Sequence, residues 1–254
     1  MNNDAHSQVV QQQFGERANA YLTSAVHAQG SEFAELLTAV EGHKDAELLD
    51  LGCGAGHVSF HLAPAVGRVV AYDLSRQMLD VVQQTAMERR LRNIETLVGA
   101  AEQLPFEDGS FDFIVSRFSA HHWSDLGQAL REVRRVLKPG GRAAFVDVVA
   151  PGLPLLDTHL QAVELLRDTS HVRDYSPAEW ARQLGDAGLR VTAGKTQRLR
   201  LEFRSWVERM RTPDVFRAAI RQLQQASSRE VQTYFEIADD GSFSTDMLLV
   251  WAEH

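Results

Sequence analysis

The chain has 254 residues, with 34 acidic and 26 basic side chains and a formal net charge of −8. This length allows one large domain with a generous core, and the negative charge argues against a broad nucleic-acid-binding face. A single cysteine, Cys53, excludes an internal disulfide. No apolar stretch approaches the ~20 residues that span a bilayer, and the polar N-terminus lacks the apolar core of a signal peptide, so we expect a cytoplasmic protein.

The first part of the chain predicts helices, and the middle part predicts alternating strands and helices. Apolar residues recur at helical spacing over residues 4–42. From residue 47 onward, short apolar runs alternate with helical patterns, which is typical of βαβ units and a parallel sheet. The predicted strands lie near residues 47–51, 68–73, 94–98, 111–116 and 142–149.

The pattern changes after Pro151. Helices are predicted over residues 155–167 and 177–187, and a strand over residues 190–201. A helical stretch over residues 203–227 is interrupted at Pro213, because proline cannot continue a helix interior. Two apolar runs, 234–237 and 247–251, flank a turn-forming segment and predict a hairpin-like closing edge.

A glycine-rich loop follows the first predicted strand. That strand ends in Asp50, and glycine then occupies every second position, at Gly52, Gly54 and Gly56. The dinucleotide fingerprint places its third glycine where His57 stands here. A carboxylate at Asp50 favours a cationic ligand over a pyrophosphate, because like charges repel in a partly dry site. An ordinary strand–turn–helix with glycines for tight packing stays an alternative.

A second carboxylate, Asp73, ends the next predicted strand. Its spacing from the glycine loop is that of an acid that accepts hydrogen bonds from ribose hydroxyls. Ser75 is a predicted N-cap for the helix that follows, which extends to about Leu91. The alternative for Asp73 is a solvated acid at a strand end.

Together these features resemble the motifs of class I S-adenosylmethionine-dependent methyltransferases. Three later segments match the same family: residues 99–106, 108–116 and 138–142. The chain is similar to the bacterial ubiquinone/menaquinone-type (methyltransferase type 11) group, and to uncharacterised methyltransferases within it.

The resemblance implies an α/β fold with a doubly wound, seven-stranded, mostly parallel, Rossmann-like sheet. It also implies an N-terminal helical segment and a helical cap inserted between the last strands. We expect one methyltransferase domain over residues 1–254: helical segment 1–46, cofactor-binding core 47–150, and the remaining sheet with its cap in 151–254.

The implied cofactor is S-adenosylmethionine, with S-adenosylhomocysteine as its product and no metal. Ala101 and Glu102 match the pair at the adenine amino edge. Tyr21 matches an N-terminal helix that folds over the cofactor, although a buried tyrosine is also typical of a core. The implied cofactor contacts are Tyr21, Asp50, Gly52, Gly54, Gly56, Asp73, Leu74, Met78, Ala101, Glu102, Ser116 and Arg117.

Two histidines, His121 and His122, follow the fourth predicted strand. In the family this loop passes beneath the sulfonium and faces the methyl acceptor. Either histidine is a candidate catalytic base, since imidazole titrates near neutral pH. The alternative is that they order the loop through backbone hydrogen bonds.

A polar cluster over residues 168–175 provides the candidate acceptor contacts. His171 and Arg173 are predicted to hold an oxygen or an anionic group. Trp180 is predicted to contact a flat acceptor, because aromatic side chains are frequent in the C-terminal half; the alternative is that these aromatic residues belong to the core. A plain turn, with Asp168 and Ser170 bonded to their own backbone, is the alternative.

The function we expect is methyl transfer to a small-molecule acceptor, an aromatic, quinone-like or heterocyclic metabolite that accepts the group on oxygen, nitrogen or carbon. The partners expected are that small molecule and no nucleic acid, with the chain a monomer or homodimer. One rival is an NAD-type oxidoreductase on a similar fold, against which the missing third glycine and Asp50 argue. Another is a cofactor-binding protein that is catalytically silent.

Overall fold

The computed structural model describes residues 4–15 and 30–254, and a seven-stranded sheet forms its centre. The strands are β1 (Glu47–Leu51), β2 (Arg68–Asp73), β3 (Ile94–Val98), β4 (Phe111–Arg117), β5 (Leu137–Val149), β6 (Arg190–Leu201) and β7 (Phe243–Glu253). Their order across the sheet is β3-β2-β1-β4-β5-β7-β6.

Helices connect the strands and cover both faces of the sheet. Before β4 they are α1 (Asp4–Gly15), α2 (Glu32–Val40), α3 (His57–Leu62) and α4 (Arg76–Glu88). After β4 they are α5 (Leu126–Val136), α6 (Pro154–Arg167), α7 (Pro177–Asp186), α8 (Phe203–Arg209), α9 (Asp214–Ala226) and α10 (Arg229–Tyr234). Short 3-10 turns occupy 63–65 and 120–122. Within the described ranges, no helix is both long and apolar enough to cross a membrane.

The order of the strands creates a crevice at one edge of the sheet. Strand β1 pairs in parallel with both β2 and β4, so the chain runs outward in opposite directions on its two sides. In open parallel sheets such a switch point leaves a crevice beyond the carboxyl ends of the two strands. The segments that follow Leu51 and Arg117 therefore lie at the place where ligands bind in this class of fold.

Alternating residues of the central strands pack on opposite faces. Leu48 belongs to a cluster with α2 and α3, whereas Leu49 belongs to a cluster with α5 and α7. Both leucines are fully buried. A period of two residues is the expected consequence of the β pleat, and it fixes the register of the strand because a slip of one residue would exchange the two faces.

A third apolar cluster joins the helices between β6 and β7 to α6. Trp206, Ile220 and Phe235 from this helical region pack with Leu160 and Val163 of α6, and all five are at most 2% exposed. This packing forms the cap that the sequence predicts between the last strands.

The expected fold class is confirmed, including the antiparallel last strand: β7 is antiparallel to β5 and to β6. The first four strands lie where the sequence predicts them, and β5 begins at Leu137, five residues before its predicted start. The hairpin over 234–237 and 247–251 is wrong as a pair of strands, because the first run is the end of α10 and a turn. A run of four apolar residues does not distinguish a strand from the end of a buried helix.

Candidate active site

The glycine loop after β1 uses its three glycines for different purposes. All three have positive φ angles, +69° at Gly52, +50° at Gly54 and +84° at Gly56. A Cβ atom at Gly52 would lie 1.9 Å from the Ser119 hydroxyl, and one at Gly56 would lie 2.8 Å from a methyl of Val82. A Cβ at Gly54 would meet nothing within 4 Å. Gly52 and Gly56 therefore permit close packing, whereas Gly54 keeps open space beside the loop.

Asp50 connects the end of β1 to α3. Its Oδ2 accepts hydrogen bonds from the backbone N–H and the hydroxyl of Ser59, at 2.9 and 2.6 Å. The side chain is buried, and burial raises the pKa of its carboxyl to about 7 although the two bonds from Ser59 oppose the shift. A cation placed beside this carboxyl would favour its ionised form.

Asp73 connects the end of β2 to the glycine loop. Its Oδ2 accepts from the N–H of Gly54 and its Oδ1 accepts from the N–H of Ser75, both at 2.8 Å. Burial raises the pKa of Asp73, and these backbone donors oppose the rise. Each carboxylate oxygen has a further lone pair, so Asp73 can still accept bonds from a pair of ligand hydroxyls.

A cleft, here the first cleft, opens at the carboxyl edge of the sheet between the glycine loop, the loops after β2, β3 and β4, and helix α1. It holds about 1020 Å³ of empty space when its open mouth is included. Helix α1 supplies His6, Ser7, Val10 and Phe14 to its wall. The sequence predicts a helix that folds over the cofactor and places Tyr21 in it, but it does not single out these four residues, because α1 is mostly polar.

Most of the predicted cofactor contacts meet in the first cleft. Its lining includes Asp50, Gly52, Gly54, Asp73, Leu74, Met78, Ala101, Glu102 and Arg117. Gly56 and Ser116 lie outside its lining, and Tyr21 falls within residues 16–29, outside the described residues. Glu102 also accepts from the N–H of Ser124 at 2.8 Å and so joins the loops after β3 and β4.

The charges of the first cleft suit a ligand without phosphates. Among the described residues that line it, Arg117 is the single lysine or arginine. Its guanidinium is buried and forms an ion pair with Glu32 at 2.7 Å. Carboxylates at Asp50 and Asp73 instead offer acceptors for an ammonium group and for hydroxyls. These carboxylate acceptors therefore fit S-adenosylmethionine, and the open space beside Gly54 leaves room for it.

The two histidines after β4 form an adjacent pair with different partners. His121 donates from Nδ1 to Oδ1 of Asp147 at 2.6 Å. His122 donates from Nδ1 to the carbonyl oxygen of Ser170 at 3.1 Å, which leaves its Nε2 as an acceptor in the neutral ring. The ring centroids are 4.1 Å apart. His122 lines the first cleft, and Phe14 of α1 meets its ring edge-on.

The partners of the two rings set opposite charge states. Burial lowers the pKa of His121, but the charge and hydrogen bond of Asp147 outweigh burial and raise it to about 9. Burial and then the positive charge of His121 lower the pKa of His122 to about 4. At neutral pH the two histidines therefore carry one positive charge, which is on His121, and His122 is neutral.

A second cleft adjoins the first one at Phe14, Phe118 and His122, and holds about 540 Å³ of empty space. Its remaining lining is His121, Val148, Glu164, Arg167, Asp174, Leu199, Leu201, Trp206 and Arg209. These residues come from β5, α6, β6, α8 and the loops after β4 and α6, so apolar walls and titratable groups meet beside the histidine pair.

The three predicted acceptor contacts line neither cleft. His171 donates from Nε2 to Gln161, and Arg173 forms ion pairs with Asp157 and Glu179. Trp180 is 1% exposed and packs in the core. Acceptor contact by these three residues stays a prediction.

The loop over residues 168–175 has the alternative, turn-like geometry at its start. Ser170 donates to Oδ1 of Asp168 from both its N–H and its hydroxyl, at 2.9 and 2.6 Å. Farther along, the N–H groups of Val172 and Arg173 donate to the carbonyl oxygen of His121. The loop thus supports the histidine pair, and Gln13 of α1 donates to Asp168 in the same loop.

Known proteins resemble this chain along most of its length. A methyltransferase-domain family model matches residues 49–145. The chain is 54% identical over 199 residues to the uncharacterised protein YafE of Escherichia coli strain K12, covering 78% of this chain and 96% of that one. It is 36% identical over 222 residues to YcgJ, an uncharacterised methyltransferase of Bacillus subtilis strain 168, covering 87% and 88%.

A solved structure and a further relative support the same family assignment. The crystal structure of YcgJ has a TM-score of 0.84 against this chain at 33% identity, covering 87% of this chain and 97% of that one. A demethylmenaquinone methyltransferase of Listeria welshimeri is 34% identical over 142 residues, 55% of this chain and 59% of that one. Given the extent of the match to YcgJ and the fold, the chain belongs to the S-adenosylmethionine-dependent methyltransferases of the class I, Rossmann-like type.

Proposed function

We propose that the chain transfers a methyl group from S-adenosylmethionine in the first cleft to a small-molecule acceptor in the second cleft. The observation that carries this proposal is the junction of the two clefts at His122, between a cleft with carboxylate acceptors and a cleft with apolar and titratable side chains. When bound, S-adenosylmethionine supplies a methyl carbon that its sulfonium has activated for displacement.

The residues of the first cleft have separate tasks in holding this ligand. Asp73 would accept hydrogen bonds from the ribose hydroxyls, and Asp50 would face the cationic part. Ala101 and Glu102 would meet the adenine edge. Open space at Gly54 supports close approach of the ligand to the loop.

The chain's own contribution to the reaction is alignment and exclusion of water. Helix α1 covers the junction: His6 donates to the carbonyl oxygen of His122 at 3.0 Å, and Gln13 donates to Oδ1 of Asp168 at 3.3 Å. Holding two reactants in line can lower a barrier by about 7–11 kcal/mol. His122, neutral and adjacent to both clefts, would accept a proton from the acceptor where the reaction requires it.

The acceptor we propose is a flat metabolite, aromatic, quinone-like or heterocyclic. Phe14, Phe118 and Trp206 give the second cleft aromatic walls, which suit such molecules. The name of the relative from Listeria welshimeri, a demethylmenaquinone methyltransferase, describes a quinone-type acceptor and agrees with this choice.

Thermal unfolding in the presence of candidate ligands tests the proposal. S-adenosylmethionine and S-adenosylhomocysteine should raise the melting temperature by mass action, and NADH should not. Stabilisation by NADH alone would favour an oxidoreductase. Incubation of the protein with metabolite extracts and isotopically labelled S-adenosylmethionine should then yield a labelled product by mass spectrometry, whereas cofactor binding with no labelled product from any extract would favour the silent protein.

Replacement of Asp73 by alanine should weaken S-adenosylhomocysteine binding by about 1.5–3 kcal/mol, because it removes charge-assisted acceptors for the ribose. Calorimetric titration measures the change. Glu95→Ala, which removes an exposed acid on the neighbouring strand β3, is the matched control and should bind normally. Affinity within about twofold of the wild type in folded Asp73→Ala would show that Asp73 has no part in binding.

The affinity for S-adenosylhomocysteine should fall as the pH drops below about 7. Its ammonium favours the ionised form of Asp50, whose pKa is about 7 without ligand, so binding at lower pH must first remove a proton. Asp73, whose pKa is also raised by burial, titrates in the same cleft. Asp50→Asn should therefore bind more weakly at pH 8 and lose part of the pH dependence; an unchanged pH profile would contradict a role for Asp50.

A further inference from the structure

The second cleft carries permanent positive charge in a chain whose net charge is −8. Arg167 and Arg209 line it, and so does His121. The guanidinium of Arg167 lies over the ring of Trp206 at 5.0 Å, with its Nε donating to the carbonyl oxygen of the same residue. Arginine stays protonated at any pH that a folded protein tolerates, so this charge does not depend on the occupant of the cleft.

The two carboxyl groups of the same cleft, Glu164 and Asp174, both have raised pKa values. Burial raises the pKa of Glu164 against the opposing charge of Arg167, which lies 3.5 Å away. Burial, reinforced by Glu164, raises the pKa of Asp174 well above its usual range. Asp174 is 1% exposed, and its Oδ2 has no hydrogen-bond partner among the described residues. An anion in the cleft would raise the pKa of both carboxyls further, whereas a cation would be repelled by the arginines.

His121 adds a positive charge to the second cleft beside His122, which lies at the junction with the first cleft. Its Nδ1 is held by Asp147, whose Oδ1 also accepts from the N–H of Val148 at 2.9 Å. Its Nε2 has no hydrogen-bond partner among the described residues. The ring lies against His122, which lines both clefts.

We propose, on the basis of the proposed function, that the second cleft binds its acceptor as an oxyanion. This anion is an ionised ring hydroxyl or enol hydroxyl, and its oxygen accepts a hydrogen bond from Nε2 of His121. The carbon framework lies between the apolar walls of Phe118, Leu201 and Trp206. The hydroxyl proton leaves to solvent before the anion binds, and Asp147 acts as a positioning residue for the imidazolium. This arrangement selects acidic phenols and enols over amines of similar shape.

Nitrophenyl probes of equal ring size and different charge test this proposal. In the presence of saturating S-adenosylhomocysteine, which fills the first cleft, the protein is titrated with 4-nitrophenol, with uncharged 4-nitroaniline and with cationic 4-nitrobenzylamine. The phenolate should bind at least about tenfold more tightly than either of the others. Its visible absorption band should persist to a lower pH when bound than in free solution, because a fixed cation lowers the pKa of a bound phenol.

Variants of His121 test whether its charge, and not its size, is responsible for probe binding. His121→Gln should weaken phenolate binding by about tenfold or more and abolish the spectral shift. Because this variant leaves Asp147 buried without its partner, the double variant His121→Gln with Asp147→Asn provides a second, charge-balanced measurement with the same expectation. His159→Gln changes a partly buried histidine of α6 outside both clefts and should bind the probe as the wild type does.

Several titratable groups face His121 and also affect the pH dependence of probe binding. They are Asp147 from β5, His122 from its own loop, Glu164 from α6, and His171 and Asp174 from the loop after α6.

Equal or tighter binding of the aniline or the amine overturns the proposal, and so does the absence of any phenolate binding while S-adenosylhomocysteine still stabilises the protein. Loss of S-adenosylhomocysteine binding itself would instead contradict the proposed function.

Discussion

Replacement of Gly54 by valine is expected to abolish S-adenosylhomocysteine binding while the protein stays folded. The added side chain would fill the open space beside the glycine loop, where a Cβ atom on this residue would have no neighbour within 4 Å. Binding should weaken by more than roughly a hundredfold, because overpacking alone costs about 1–3 kcal/mol and misplaced hydrogen bonds add to it. A calorimetric titration paired with a melting curve measures both quantities.

Gly140→Val is the matched control for this prediction. Gly140 also has a positive φ, +77°, and a Cβ there also meets nothing within 4 Å, but it is exposed and lines neither cleft. Both variants should lose stability by about 1–2 kcal/mol from the left-handed backbone. Gly140→Val should keep its affinity. If Gly54→Val bound in proportion to its folded fraction, Gly54 would be only a turn residue.

The fold was predictable because its signals are local. Strand β1 and the glycine loop occupy adjacent residues, and glycine adopts the positive φ angles of this loop without steric cost. The interval between the glycine loop and Asp73 predicts a ribose-binding acid, and in the structure Asp73 accepts a hydrogen bond of 2.8 Å from the N–H of Gly54. Signals of this kind extend over roughly 30 residues, the length of one βαβ unit.

The second cleft was not predictable for the opposite reason. It is assembled from β5, α6, β6 and α8, which are separated in sequence and meet only because the cap folds back on the sheet. The charge of His121 depends on Asp147, 26 residues farther along the chain. Aromatic residues gave no better guide, since Trp206 lines the second cleft whereas Trp180 fills the core with Phe145. Hydrophobic patterns predict that a side chain is buried, not which cavity it borders.

Removal of the imidazolium should slow methyl transfer while cofactor affinity stays near the wild-type value. With the acceptor that the labelling screen identifies, His121→Gln should lower kcat/KM by about tenfold or more through a higher KM, because the imidazolium binds the acceptor as its anion. Because the acceptor binds as its anion, His122→Gln should lower kcat by less than about tenfold, whereas a loss of about 10²–10⁴-fold would show that the acceptor gives up its proton to His122 within the complex. A cofactor affinity that falls in step with kcat would instead show that the pair only supports the loop.

The pH profile of the rate separates the roles of His121 and Asp147. In the wild type His121 stays protonated up to a pH of about 9, so activity that needs its charge should decline as the pH rises through that value. Asp147→Asn removes the attraction that raises the pKa, and burial, which lowers it, then dominates. The alkaline limb should therefore move to lower pH in Asp147→Asn, and at a pH below both limbs much of the wild-type rate should return. If Asp147→Asn lowered the rate at every pH but left the alkaline decline at the wild-type pH, Asp147 would have only a structural role. A positioning carboxylate must change the protonation of His121 before it can change the rate.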